Sequence, residues 1–359
     1  MAWTINDPTT HFQVVEYTGN YTGGGSTQDV TLPGDTDMQP DLVWIKSTKA
    51  EKHCIYDAIR GATKTISSDS TAAESTDAGF MSAFNSDGFS VGAANETNEN
   101  ATSIMAFCWK AGGSTSSNTT GDITSTVSVN STAKFSIVSY TGNGSTNQTV
   151  GHSLGVTPEW IWIKNRDRSV YHPNINPRFV STSNPNMLYI NVTEAESDDT
   201  NIQGSNAHSS TIFGVDDYTG VNVNTEKQIA YCFASVQGFS KFGTYEGTGG
   251  TTTGPFIYLG FRPAWIMVKC ATNGHASAYW RIWNDVQDKG NPHDDVLDAS
   301  EATAEDTTAE DCDFLANGFK FRASGLKNND AGERYVFFAF ARAPLVNSEG
   351  VPGTTAGVG

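Results

Sequence analysis

Pro40-Asp41-Leu42-Val43-Trp44-Ile45-Lys46 reveals the architecture, because the chain states it twice more. It returns as Pro158-Glu159-Trp160-Ile161-Trp162-Ile163-Lys164 and as Pro263-Ala264-Trp265-Ile266-Met267-Val268-Lys269. A glycine-marked turn precedes each copy: Tyr17-Thr18-Gly19-Asn20, Tyr140-Thr141-Gly142-Asn143 and Tyr245-Glu246-Gly247-Thr248. A hydrophobic run follows each: Ala106-Phe107-Cys108-Trp109, Ala230-Tyr231-Cys232-Phe233 and Phe337-Phe338-Ala339-Phe340. Ordered landmarks at one spacing mark a tandem array.

The Trp-containing stretch is apolar on both faces. As a strand it puts Val43 and Ile45 on one side, Leu42 and Trp44 on the other. An antiparallel sheet commonly has one wet face. Two dry faces therefore call for a cover, from a crossover, a neighbouring repeat or another subunit, or for a fully internal strand. In either case the tryptophans read as packing residues rather than ligand platforms.

Around this stretch the pattern is strand and turn. Phe12-Gln13-Val14-Val15-Glu16-Tyr17 and Phe135-Ser136-Ile137-Val138-Ser139-Tyr140 alternate with period two and stop at Thr-Gly-Asn, a turn expected to use positive φ. Asp87-Gly88-Phe89 and Asn317-Gly318-Phe319 read as hairpins, with Asp216-Asp217-Tyr218 as the divergent counterpart in the second repeat. Short pieces at Thr71-Ala72-Ala73-Glu74, Thr193-Glu194-Ala195-Glu196 and Ala302-Thr303-Ala304-Glu305 read as single helical turns or irregular crossovers. The expected fold is all-β: three tandem antiparallel β-sandwich, jelly-roll-like repeats. They span 1–113, 134–237 and 238–347, with a Ser/Thr/Asn-rich linker at 114–133 and a flexible tail at 348–359. Ile123 and Val127 would let part of the linker pair as an edge strand. The second and third repeats join without a linker, so they are expected to pack tightly and leave the first more independent.

Composition narrows the functions. A net charge of −17 with no dense basic run argues against nucleic-acid backbones and anionic membranes. No stretch is long and apolar enough for a membrane-spanning helix, and no basic-then-apolar leader follows Met1. Cys54, Cys108, Cys232, Cys270 and Cys312 are odd in number, without CxxC spacing, and read as buried reduced thiols.

The motifs sought for catalysis are missing. His11, His53, His152, His172, His208, His275 and His293 do not recur across the repeats, and no HExxH, GxSxG or phosphate-binding glycine loop is present. Glu74, Glu196 and Glu305 recur together, which suggests a shared structural task such as capping a turn. The oxygen-rich stretch from Asp285 through Asp288, Asp294 and Asp295 could suit calcium but lacks an EF-hand register, and a solvated loop is the simpler reading. No catalytic, cofactor or metal residue is expected, and no cofactor.

Taken together, the Tyr-Thr-Gly-Asn turn, the Pro-Asp/Glu-x-x-Trp-Ile-Lys strand, Asn85-Ser86-Asp87-Gly88-Phe89 and the Ala-Phe/Tyr-Cys-Trp/Phe strand resemble a repeat of tailed-bacteriophage virion proteins, particularly of marine and cyanobacterial hosts. Gly238-Phe239-Ser240-Lys241-Phe242-Gly243 and Gly260-Phe261-Arg262-Pro263 strengthen the likeness. The resemblance implies a structural, non-enzymatic virion protein, made in the bacterial cytoplasm and displayed on the particle. A tail fibre or knob that contacts the host comes first. A capsid decoration or head fibre is the alternative, favoured by repeats that begin almost at Met1, and a polysaccharide-degrading spike is the third. Expected partners are other virion proteins, a cell-surface glycan and further copies of the chain, a trimer being one such assembly, with neither nucleic acid nor membrane insertion.

Overall fold

A computed structural model of the chain describes residues 5–25, 27–177, 186–198, 203–204, 208–250, 253–308, 312–325 and 327–344. Its regular structure is almost wholly strand, and every sheet is antiparallel.

The first segment contains β1 (Phe12–Thr18), β2 (Gln28–Thr31), β3 (Leu42–Ser47), β4 (Cys54–Asp57), β5 (Lys64–Thr65), β6 (Ser75–Thr76), β7 (Met81–Asn85), β8 (Gly88–Val91) and β9 (Ser103–Trp109). Next come β10 (Ser116–Asn118) and β11 (Ser125–Asn130). The second segment continues with β12 (Phe135–Thr141), β13 (Gln148–Gly151), β14 (Trp160–Asn165), β15 (Asn174–Pro177), β16 (Asn186–Tyr189), β17 (Ser197–Asp198), β18 (Ile212–Val215) and β19 (Lys227–Phe233). The third holds β20 (Ser240–Glu246), β21 (Phe256–Tyr258), β22 (Phe261–Cys270), β23 (Arg281–Asn284), β24 (Leu297–Asp298), β25 (Cys312–Leu315), β26 (Gly318–Phe321) and β27 (Arg334–Pro344).

The larger sheets share one order: β1-β9-β3-β4, then β12-β19-β14-β15 within a longer sheet, then β20-β27-β22-β23. Registers agree as well, since Leu42 faces Trp109, Trp160 faces Phe233 and Trp265 faces Phe340. A smaller sheet accompanies each: β2-β8-β7, β13-β18 and β21-β26-β25. The two sheets of a segment enclose a β-sandwich-like core, as Val43 and Ile45 do with Val30 and Phe89.

The opposite face of each larger sheet is dry too, and its cover is the other segments. Leu42, Trp44, Phe107 and Trp109 join Trp160, Trp162, Tyr231 and Phe233, and Trp265, Met267, Phe338 and Phe340, in one shared core. Strict alternation sorts the side chains: Ile161 and Ile163 turn inward to their own segment, Trp160 and Trp162 outward to the common one. Trp44 approaches Trp162 at 5.5 Å between ring centroids, Trp160 stacks on Phe338 at 4.9 Å, and Trp109 meets Trp265 edge-on at 5.9 Å. Each buried ring removes about 150–250 Å² from water, so this core is a major share of the apolar burial.

This overturns the expected independence of the first segment, which contacts both others. An end-to-end array is overturned with it, since the three two-faced sheets bury their outer tryptophans against one another. The connector at 114–133 is also more ordered than its composition suggests. β11 pairs along β12, with Val127 buried, and Ile123 bridges Val150. The tail at 348–359 lies outside the described residues.

Two local readings are corrected. The register places Phe213, not Tyr218, in the position of Phe89 and Phe319, opposite Val150, Val30 and Ile257 respectively. The second hairpin therefore turns at Ser209–Ile212, where the Ser209 amide bonds the Ile212 carbonyl at 2.9 Å. The turn glycines Gly19, Gly142 and Gly247 do not use positive φ. A Cβ there would lie 2.2, 2.2 and 2.0 Å from the carbonyl oxygens of Glu99, Val223 and Asp330. Close backbone approach, not turn geometry, requires glycine.

Candidate functional site

Three equivalent joints between segments carry the polar chemistry of the molecule. Each begins with the lysine that ends the repeated strand. Lys46, Lys164 and Lys269 are buried, and burial lowers each ammonium to about 8. Backbone carbonyls accept their hydrogen bonds. Lys164 Nζ donates to Thr71 O (2.8 Å), and Lys269 Nζ to Thr193 O (3.1 Å), each in the preceding segment. Lys46 Nζ donates to Ser47 O and Lys49 O, at 2.5 and 2.8 Å.

Two residues beyond each lysine, a backbone carbonyl accepts from a recurring glutamate. The Glu74 amide bonds Arg166 O at 2.8 Å, Glu196 bonds Ala271 O at 2.7 Å, and Glu305 bonds Thr48 O at 2.9 Å. The direction is first to second, second to third, and third to first. It is a closed cycle. The expected turn-capping role is replaced by this joint, and residues 71–74, 193–196 and 302–305 are irregular crossovers, not helical turns.

The glutamate side chains differ between joints. Glu74 receives Arg166 Nε and Nη2 at 2.8 and 2.9 Å and Arg60 Nη1 at 3.3 Å. Burial would raise its carboxyl, but the hydrogen bond from Arg166 and the charge of Arg60 outweigh that and hold it below the ordinary value. Arg60 is buried and also pairs with Asp57, whose Oδ2 accepts the Tyr231 hydroxyl at 2.7 Å. At the second joint Glu196 pairs with Arg334, and at the third Glu305 accepts from Gln287 at 2.6 Å. His53 lies near the third joint, taking the Trp44 indole N–H on Nδ1 (2.8 Å), with Nε2 3.0 Å from Asp298 O. Burial, aided by Lys46, drives this imidazole down to about 3, so it is neutral at physiological pH.

A second threefold set closes each segment. The hydroxyls of Tyr17, Tyr140 and Tyr245 donate to Thr97 O, Val221 O and Asn328 O at 2.6, 2.7 and 2.6 Å. Asn98, Asn222 and Asn329 are fully buried and accept the amides of Asn20, Asn143 and Thr248. Asn98, Asn222 and Asn329 went unnoticed in the sequence. Their signal was available, as an Asn eleven residues before each last aromatic strand residue: Trp109, Phe233 and Phe340.

The remaining sequence candidates lie apart. Cys54, Cys108, Cys232, Cys270 and Cys312 are all free and buried, and burial raises the Cys54 thiol to about 12. His152 sits over Phe213, His293 packs on Phe314, and His11 bonds Asn130 at 2.9 Å. Asp288, Asp294 and Asp295 bring carboxylate oxygens within 4.8 Å of one another on a partly exposed loop, where Asp288 also accepts the amides of Gly290 and Asp294.

The family described as "Domain of unknown function (DUF7483)" matches residues 7–344. The chain belongs to this family. The match runs from just before β1 to the last residue of β27, so all three segments and their joints lie within one family unit. No curated protein and no solved structure matches the chain.

Proposed function

We propose that the chain is a structural component of a tailed-phage virion, displayed on the surface as a tail appendage that takes part in host adsorption. In this reading each segment is one copy of a jelly-roll-like β-sandwich module, and three copies close into a ring within a single polypeptide. The observation that carries it is the threefold cycle of Glu74, Glu196 and Glu305 joints, built on motifs resembling those of phage virion repeats. Such a ring offers rigidity and three outward sides, which suits attachment and avidity. It is read as non-enzymatic. Self-association into a larger homo-oligomer, contacts with other virion proteins and a cell-surface glycan as receptor belong to the same proposal.

The ring also favours a second reading, a capsid decoration. A threefold module matches a threefold position on a symmetric shell without needing three chains. Electron microscopy of particles labelled with antibody against this chain tests both. Label on the tail supports the first reading, label on the head the second, and unlabelled particles remove both.

A further inference from the structure

The three segments use the same backbone positions, so a position where one differs marks a specialised surface. The outward face of the smaller sheet is such a place. Opposite its buried phenylalanine, the first segment carries Asp29, Thr31 and Ser90, and the second carries Thr149, Gly151 and Gly214. The third carries Phe256, Tyr258 and Lys320 at the matching register positions. Phe256 and Tyr258 are 45% and 53% exposed. They are two of the three large hydrophobic residues exposed among the described ones.

Neighbouring elements sharpen the contrast. In the first segment this face is a polar network, in which Asn85 donates to Ser90 and Ser90 to Asp29. In the second, the 114–133 connector lies beside the edge, with Asp122 bonding Thr149. In the third, β21 is the outer strand of its sheet, as β2 and β13 are of theirs, and Phe256 and Tyr258 on it are exposed. Lys241, at the position of Gln13 and Ser136, donates to Tyr258 O at 2.6 Å, and its Nζ lies 5.5 Å from the Tyr258 ring centroid.

Two rings at alternate positions of one strand stand about 7 Å apart, the scale of neighbouring sugar units in an extended chain. Their flat faces suit the C–H faces of pyranose rings, while the Lys241 ammonium near Tyr258 and Lys320, paired in register with Phe256 and next to the Asp313–Arg322 ion pair, supply positive charge that suits carboxylates. Rings of this size that are 45% and 53% exposed offer about 200 Å² together, below the about 800 Å² per partner of a standard protein–protein interface. We propose that Phe256, Tyr258, Lys241 and Lys320 form a platform for an acidic, uronate-bearing polysaccharide. This deepens the adsorption reading above and rests on it.

The test uses the full chain and polygalacturonate as probe, with dextran of matched length as the neutral control, followed by retention on affinity gels. The variants graft sister residues: Phe256→Thr with Tyr258→Thr, and separately Lys241→Gln with Lys320→Ser. The expected result is retention on polygalacturonate at low salt, weakened at least tenfold by either pair and by raised salt, with dextran ignored. No retention of the native chain, equal retention of dextran, or variants that bind unchanged would overturn the platform. Concentration-dependent dimerisation lost in the Phe256/Tyr258 variant would assign the patch to a second copy and overturn it as well. Circular dichroism of each variant confirms folding. Antibody label on the particle together with no polygalacturonate binding would sink the platform alone, leaving the adsorption reading standing.

Discussion

Phe12, the first residue of β1, stacks on Phe340 of β27 with ring centroids 4.7 Å apart. The first and last strands of the domain therefore touch, across more than 300 residues of chain. Together with the Glu305–Thr48 joint, this contact turns a linear series into a ring. Phe12→Ala removes a buried ring shared between two segments, and it should cost about 3–5 kcal/mol in urea unfolding. A circular permutant of residues 7–344, with its old ends linked by glycine and serine and new ends between Ser114 and Thr115, should still unfold in one cooperative transition. Separate transitions would show that the ring does not hold as a unit.

An isolated segment should fail to fold on its own. Residues 134–237 alone would expose Trp160, Trp162, Tyr231 and Phe233, all buried in the shared core. A patch of this kind exceeds what soluble monomers normally tolerate. The expected outcome is aggregation or an expanded state that binds hydrophobic dyes. A monomeric fragment with sharp, dispersed amide resonances would contradict the shared core.

Glu74 makes the first joint sensitive to acid. Its partners Arg60 and Arg166 are both buried; Arg60 keeps Asp57, but Glu74→Gln leaves the Arg166 cation without a carboxylate, at a cost of about 3–5 kcal/mol at pH 7. The folded carboxyl is depressed below its ordinary 4.5, so its stabilisation is complete above that value. Below it, the unfolded chain takes up the proton first and the advantage drains away. The stability difference between the native chain and Glu74→Gln should thus be constant from pH 7 to about 5 and shrink as the pH falls through 4.5. A difference that stays constant down to pH 3 would place the effect in packing rather than charge.

How much of this was legible depended on which side chains carried the signal. Leu42, Val43, Trp44 and Ile45 announced a strand with two dry faces, and the sheet indeed has two cores. Their sequence could not say that the second core was common to all three segments, because a cover from another subunit leaves the same pattern. Glu74, Glu196 and Glu305 were visible as a recurring set, yet their defining bonds come from backbone amides, which carry no residue-specific mark. The smooth junction at Tyr231–Phe242 suggested unequal pairing of segments. Chain continuity is a weak guide when tryptophans distant in sequence supply the packing. Phe256 and Tyr258 stood out only once the register had placed them opposite Lys320 and Gly318.

Gly19, Gly142 and Gly247 provide a test of threefold equivalence. At each, a methyl group would lie 2.0–2.2 Å from a backbone carbonyl oxygen. A backbone atom cannot rotate away as a flexible side chain can, so each alanine should cost about 1–3 kcal/mol, with similar values at all three sites. Gly290→Ala is the control, since the nearest atom there is a side-chain oxygen of Asp288 at 3.9 Å. That change should stay within about 0.5 kcal/mol. One glycine tolerating alanine while the other two do not would break the equivalence.

Lys164 repeats the sign of the Glu74 effect in an alkaline window. Burial lowers its ammonium from 10.5 to about 8, so the folded protein holds this proton less firmly than the unfolded chain does. Between those values the unfolded state binds more protons, and folding stability from this group must rise with pH. Lys164→Met removes the titration along with the bonds to Thr71 O and Tyr171 O. The native chain should therefore gain stability relative to Lys164→Met as the pH rises from 8 to 10.5, while the gap stays level from pH 6 to 7.5. Lys46→Met and Lys269→Met should follow the same profile, because each lysine ends the same strand in the same dry setting. A flat difference across the alkaline range would mean that water reaches these ammonium groups, and that the joints are looser than their hydrogen bonds imply.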